Sequence, residues 1–231
     1  MIKIENTHVD NIVRAVYSAR NAMNSWDKSD SDLDTDTLGK NDLTLANRLS
    51  KAGTDHRKFM RMITVTADVT APLYYLKELD TYKIGTVSNS CSTMHKIHAK
   101  EFTIDDFSHE HLISDENVPT RVYSAEQLLE LTIITLNIFR DLYLETKDKN
   151  YWWQMIQLLP SSYNQRRTIM LNYEVLANIY KSRKNHKLDE WHTFCDWIES
   201  LPYSELITGM AVGMDLAHGT DFTGAPENNP V

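Results

Sequence analysis

Cysteine occurs only at Cys91 and Cys195 in 231 residues, too few for a disulfide framework or a cysteine-built zinc site. No apolar run is long enough to span a bilayer and no signal peptide opens the chain, so a cytoplasmic setting is expected. Positive charge is in deficit: 24 Lys and Arg stand against 32 Asp and Glu, for a formal net charge of -8. That balance argues against a general nucleic-acid or membrane-surface binder, whose affinity comes from neutralising phosphates. A Rossmann glycine pattern, a P-loop, a nucleophile elbow and internal repeats are all missing. His95-x-x-His98 has no third ligand at a recognisable spacing, so no metal site is expected. Nor is a catalytic protein nucleophile expected, since nothing in the sequence activates Cys91.

What remains is enough for a substantial core, with 42% hydrophobic residues in a chain long enough for one large domain or two small ones. Residues 1–210 are read as one domain and 211–231, with their Gly, Pro and Asn, as a flexible tail. From Lys147 to Lys187 the charge balance reverses, with eight Lys or Arg against Asp148 and Glu174. Such a strip is either a solvated helix face or a place for a small anion.

The clearest pattern is MITVTADVTAPLYYLKELD. Ile63, Val65, Ala67 and Val69 alternate with Thr64, Thr66, Asp68 and Thr70, which predicts a strand with one buried face. Pro72 cannot donate to a ladder but suits a helix start, so Leu73 to Leu79 is predicted helical. A stretch dense in small hydroxyls and amides follows, including Gly85, Thr86, Ser88, Asn89, Ser90, Cys91 and Ser92. It reads either as a polar surface loop or as a grip for a polar ligand.

Elsewhere, Thr7-x-x-Asp10 and the spacing of Val9, Ile12, Val13, Val16 and Met23 predict a first helix over 9–24. The acidic stretch 27–40 lacks periodicity and reads as a mobile loop. Asn41 or Asp42 caps a second helix that stops at Gly53. Ser124-x-x-Gln127 is a capping box for a helix reaching Thr146, apolar nearly all round and so buried in a core or between subunits. A short helix over 151–159, a strand over 167–170 and an amphipathic helix carrying Leu188, Trp191, Phe194, Cys195 and Ile198 follow. Asn172, Leu176, Ile179 and Arg183 share one helical stripe, so a polar group ends each side of an apolar row. Both would face a core or a pocket.

Two blocks carry a resemblance. TADVTAPLYYLKELDTYKIGT is similar to the segment of the flavin-dependent thymidylate synthases (the ThyX type) in which a strand ends in Ala-Pro-aromatic. There a short helix, Arg-His-Arg and a Ser/Asn/Glu/Arg loop follow. LPSSYNQRRTIMLNYEVLANIYKSRKNH resembles that family's Leu-Pro, strand and Asn-to-Arg helix. Gly53 stands where the family has a glycine before its first flavin-contacting segment, and the likeness spans roughly residues 41 to 200.

The resemblance implies an α/β (α+β) fold, a central mostly antiparallel sheet with flanking helices and a helical part, assembled as a homotetramer. It implies FAD, with NADPH and methylenetetrahydrofolate as co-substrates, and one-carbon transfer to C5 of a pyrimidine deoxynucleotide, dUMP or an altered substrate such as dCMP. The alternative is a family member that keeps the fold as a nucleotide-binding, flavin-binding or interaction protein without the chemistry. On this resemblance, Glu78, Ser88, Asn89, Ser90, Cys91, Ser92 and Arg183 surround the nucleotide. Tyr82, Lys83, Thr86, Asn172, Asn178 and His186 lie by the flavin.

The departures concern charge. Thr81, Tyr82 and Lys83 stand in the Arg-His-Arg positions, Glu78 replaces a glutamine, and Glu174 replaces an arginine. The loop arginine becomes Thr93 or Met94, and none precedes Leu159-Pro160. Each charge-assisted contact is worth about 1.5–3 kcal/mol, so a phosphate would need other cations; Arg166, Arg167, Lys83 and Lys96 are the candidates.

Overall fold

The computed structural model describes residues 2–114 and 123–209; the expected tail lies outside them. At its centre is β2 (Thr64–Pro72), flanked on one side by β1 (Lys3–Asp10) and on the other by β4 (Asn164–Asn172), with β3 (Val87–Ser90) outermost beyond β4. Every pairing is antiparallel. Ile63, Val65, Val69 and Ala71 are fully buried, while Thr64, Thr66, Asp68 and Thr70 stay partly exposed. A one-residue slip would bring out Ile63, Val65 and Val69, at about 1.5–3 kcal/mol each, so burial fixes the register.

Pro72 ends β2 and caps α3 (Leu73–Leu79) as the alternation predicts. The first free amides of α3, at Leu73 and Tyr74, donate to the carbonyls of Tyr163 and Ser161 at 3.0 Å each, so the lead-in to β4 completes the helix end. α7 (Tyr173–Arg183) leaves β4 directly, with Asn172 as its cap, and packs with α8 (Asp189–Glu199) and α9 (Glu205–Thr208) beneath the sheet. A second core holds Ile97, Phe102 and Phe107 against α5 (Ala125–Thr146) and α6 (Lys149–Leu158). The capping box at Ser124 and Gln127 forms as expected.

Two expectations fail at the amino-terminal end. Thr7 and Asp10 lie in β1 rather than capping a helix, because the open side of β2 takes Lys3–Asp10 as a partner. Asn11, with φ 69°, then turns the chain into α1 (Ile12–Ser18), which continues as a 3-10 turn to Met23. Residues 27–40 are tied down rather than mobile. Asp30 accepts from the amides of Asn41 and Asp42 at 2.9 and 3.1 Å and so caps α2 (Lys40–Lys51) from a distance. Asp42, expected as a cap, is instead fully buried against Arg20 and the hydroxyls of Ser29 and Ser31. The run 87–90 is an edge strand, not a loop.

Candidate functional site

Three helix ends meet beside the sheet. Glu78 comes from the last turn of α3, Arg183 from the last turn of α7, and Trp191 from the first turn of α8. Glu78 Oε2 accepts from Arg183 Nη1 at 3.1 Å and from Trp191 Nε1 at 2.9 Å, with His186 Nε2 at 3.7 Å. Arg183 Nε donates to the Tyr82 hydroxyl at 2.9 Å, and the guanidinium lies 4.9 Å from the centre of the Trp191 ring. Trp191 is completely buried and packs 4.7 Å from Tyr75, whose hydroxyl has no hydrogen-bond partner among the described residues and whose phenol pKa is pushed up by burial. The result is a neutral ion pair on an aromatic floor. Arg183 keeps 21% of its side chain exposed and Glu78 36%.

Tyr82 joins this cluster to a cleft of about 180 Å³ lined by Leu79, Asp80, Tyr82, Lys83, Thr86, Ser88 and Ile169. Within it, the Thr86 hydroxyl is buried and has no hydrogen-bond partner among the described residues. A buried hydroxyl left unpaired costs free energy, so it marks a position where a ligand atom or water belongs. Gly85, at φ 75°, closes the turn under the cleft; a Cβ there would meet Asn172 Nδ2 at 2.6 Å.

The sequence-chosen residues separate into three groups. Glu78, Tyr82, Arg183 and His186 come together around Trp191, and Lys83, Thr86 and Ser88 join them through the cleft. Asn89, Ser90, Cys91 and Ser92 run along the exposed edge and do not line the cleft. Asn89 and Ser90 pair with Thr168 and Arg167, the Cys91 amide donates to the Arg166 carbonyl, and Ser92 caps the short helix α4 (Thr93–Lys96) by accepting from the His95 amide. Asn172 and Asn178 bond within the chain and do not line the cleft. Asn172 accepts from the Val175 amide at 3.0 Å; Asn178 accepts from Arg57, which is ion-paired with buried Glu174 at 2.9 Å.

Sequence reasoning missed Trp191, treating it as one more apolar position of α8. The available signal was chemical: a buried indole needs an acceptor for its N–H. It also left Arg166 and Arg167 as phosphate candidates. Both are engaged, Arg166 with Asp68 at 2.8 Å and Arg167 with Asp80 at 2.7 Å. Asn6, Thr168 and Arg166 together hold the Asp68 carboxyl well below the usual carboxylate range. Lys83 and Lys96 are exposed and make no ion pair among the described residues.

No family model matches the sequence, and no curated protein matches it. Solved structures do. A thymidylate synthase X from Helicobacter pylori, determined with FAD and dUMP, aligns with a TM-score of 0.66 at 17% identity, covering 90% of this chain and 98% of that one. A second structure of the flavin-dependent enzyme from the same organism, complexed with FAD and dUMP, gives 0.65 at 18% identity over 90% and 98%. The UMP/dUMP methylase PolB from Streptomyces cacaoi, bound with 5-Br dUMP, gives 0.58 at 15% identity over 90% and 95%. Nine-tenths of this chain therefore takes the fold of the flavin-dependent thymidylate synthases, in a divergent form.

Proposed function

We propose that this protein binds FAD and a pyrimidine deoxynucleotide and transfers a one-carbon unit to C5 of the base. The observation that carries the reading is the fold-wide likeness to proteins determined with FAD and dUMP. The residues fit a flavin locally: the unpaired Thr86 hydroxyl, the Tyr82 phenol and the Lys83 ammonium offer polar contacts around one cleft. A bound flavin would supply the hydride chemistry that this chain's side chains lack.

At about 180 Å³ the cleft is smaller than the roughly 300–1,000 Å³ usual for small-molecule sites. One copy therefore supplies one wall, and the site is completed between copies of an oligomer, taken to be a homotetramer in the cytoplasm. Methylenetetrahydrofolate is the proposed carbon donor and NADPH the reductant. Of the four candidate cations, Lys83 and Lys96 are those without an ion pair among the described residues and would meet the nucleotide phosphate, with Ser88 to Ser92 lining its path along the sheet edge. Arg183 and Glu78, being jointly neutral, suit the base rather than the phosphate. A carboxylate accepts but does not donate, so Glu78 favours a base edge presenting an N–H, the amino group of dCMP or N3–H of dUMP. Asn172 would serve the flavin through the backbone it holds, Asn178 through its exposed amide beside Arg57, and His186 through its place beside Glu78.

A second reading, a binding protein without the chemistry, is favoured by one observation: Arg183 already spends Nε and Nη1 on Tyr82 and Glu78. Tritium release from C5-labelled dUMP and dCMP, with FAD, NADPH and the folate donor, decides between them. Release from either nucleotide supports transfer. Tight nucleotide binding without release supports the second reading.

A further inference from the structure

Two buried nitrogens at one corner of the second core are left unpaired. His98 Nδ1 and Arg140 Nε are shielded from solvent, and neither has a hydrogen-bond partner among the described residues. An unpaired buried polar group costs about 1–3 kcal/mol, so two at one corner call for a reason. Leu136, Arg140, Tyr143 and Lys147 stand four, three and four residues apart and form one row along α5. Leu136 is buried in the second core, and the Tyr143 ring packs edge-on to the His98 ring at 4.9 Å. Asn137 fixes the facing segment by bonding both the amide and the carbonyl of Phe102, at 2.9 Å each.

Charge distinguishes an anion from a water as the missing partner. Burial first, then the charges of Lys147, Lys96 and Arg140, hold the His98 pKa below the ordinary histidine value, and no carboxylate acts to raise it. Asp141 takes Nη1 of Arg140 at 2.7 Å but is itself 70% exposed, and it leaves Nε and Nη2 without a bond. That edge of a guanidinium suits two oxygens of a phosphate. Asp148 caps α6 by accepting from the Asn150 amide, and Glu101 and Glu145 are exposed and make no ion pair among the described residues. A water would fill the bonds and leave the cations facing one another, whereas an anion meets both needs.

We propose that His98, Arg140, Lys96 and Lys147 form a binding site for a phosphate group. Arg140 supplies the fork and His98 a ring N–H. Lys96 and Lys147, exposed and without an ion pair among the described residues, swing aside for entry and then close over the anion. The site does not depend on the flavin reading; only the naming of dUMP as the carrier of that phosphate does.

Titration of the full chain with inorganic phosphate, following the His98 ring protons by NMR across pH, tests it. Phosphate should raise the His98 pKa by about 1–3, as an opposite charge beside a titrating group does; potassium chloride at equal ionic strength should not. Arg140→Met keeps the aliphatic stem and removes the fork. It should weaken phosphate binding about 10- to 100-fold, with the melting temperature of the phosphate-free protein unchanged. Arg140→Lys guards against a folding defect: with the charge but no fork, it should recover only part of the affinity. Competition by dUMP for the same His98 response would make the nucleotide the source of the phosphate. Phosphate binding that dUMP leaves untouched would make the source a separate phosphorylated molecule, and either result supports the site. A His98 pKa indifferent to phosphate overturns the proposal, as does a response that survives in Arg140→Met. A large fall in the melting temperature of Arg140→Met also overturns it, by making Arg140 structural.

Discussion

The ion-pair cluster, charged and aromatic, and the β3 edge, built of small hydroxyls and an amide, differ in how their polar groups are satisfied. Around Trp191, the Glu78 carboxylate and the Arg183 guanidinium consume each other's bonding capacity over aromatic rings. Along Val87–Ser90 every residue is exposed, and among the described residues only one side of the strand is paired. The cluster must give up bonds to take a ligand, while the edge must be covered to take one. The first resists binding through pairs already formed; the second resists through the entropy of ordering exposed groups. On the proposed function, ligand selectivity would belong with Glu78 and Arg183, and the completion of the site with whatever lies over the edge.

The largest expected effect comes from removing the floor. Trp191→Ala should cost about 3–5 kcal/mol, the usual price of emptying a buried aromatic site, and denaturant unfolding would read it. A loss below about 1 kcal/mol would mean that the cluster is not built on the indole. Next is Gly85→Ala, which combines a left-handed backbone with a Cβ approaching Asn172 Nδ2 at 2.6 Å. A loss of about 1–3 kcal/mol is expected, seen as a lowered denaturation midpoint; an unchanged midpoint would show that the turn relaxes freely.

Arg183→Ala sharpens the contrast, because its pair is partly exposed and partly screened. Stability should fall by no more than about 1 kcal/mol, while nucleotide affinity falls about 10- to 100-fold, the value of one charge-assisted contact. Calorimetric titration with dUMP and dCMP measures the second number, and a large melting shift without an affinity change would make Arg183 structural. Smallest is Ser90→Ala on the edge, expected within about 0.5 kcal/mol in thermal melting. A clear destabilisation there would contradict the picture of an uncovered strand.

The fold was legible where local chemistry and tertiary packing agree. Pro72 marked the end of β2 and the start of α3, and Ser124 with Gln127 marked the start of α5. It was illegible where distant partners decide. Val9, Ile12, Val13 and Val16 keep helical spacing across a strand, a left-handed Asn11 and a helix, so the period misled once β2 had claimed Lys3–Asp10. The loop 27–40 has no pattern of its own, because Asp30 is ordered by amides eleven and twelve residues away. In the site, the stripe from Leu176 through Ile179 to Arg183 could be read from spacing, whereas Asn172, expected on it, is the extended cap of α7. The Glu78–Trp191 bond, across 113 residues, could not. Helical periodicity placed Arg183 at the cluster but not its carboxylate partner, which alters the ligand it can take.

The central claim is that the cleft beside Tyr82 and Thr86 is one wall of a flavin site. Titration of the purified full-length protein with FAD, followed by visible absorbance and then gel filtration, tests it directly. The account predicts a perturbed flavin spectrum that saturates and a yellow protein that retains flavin through the column. A free-flavin spectrum at every ratio, and a colourless protein eluting apart from the dye, would contradict it.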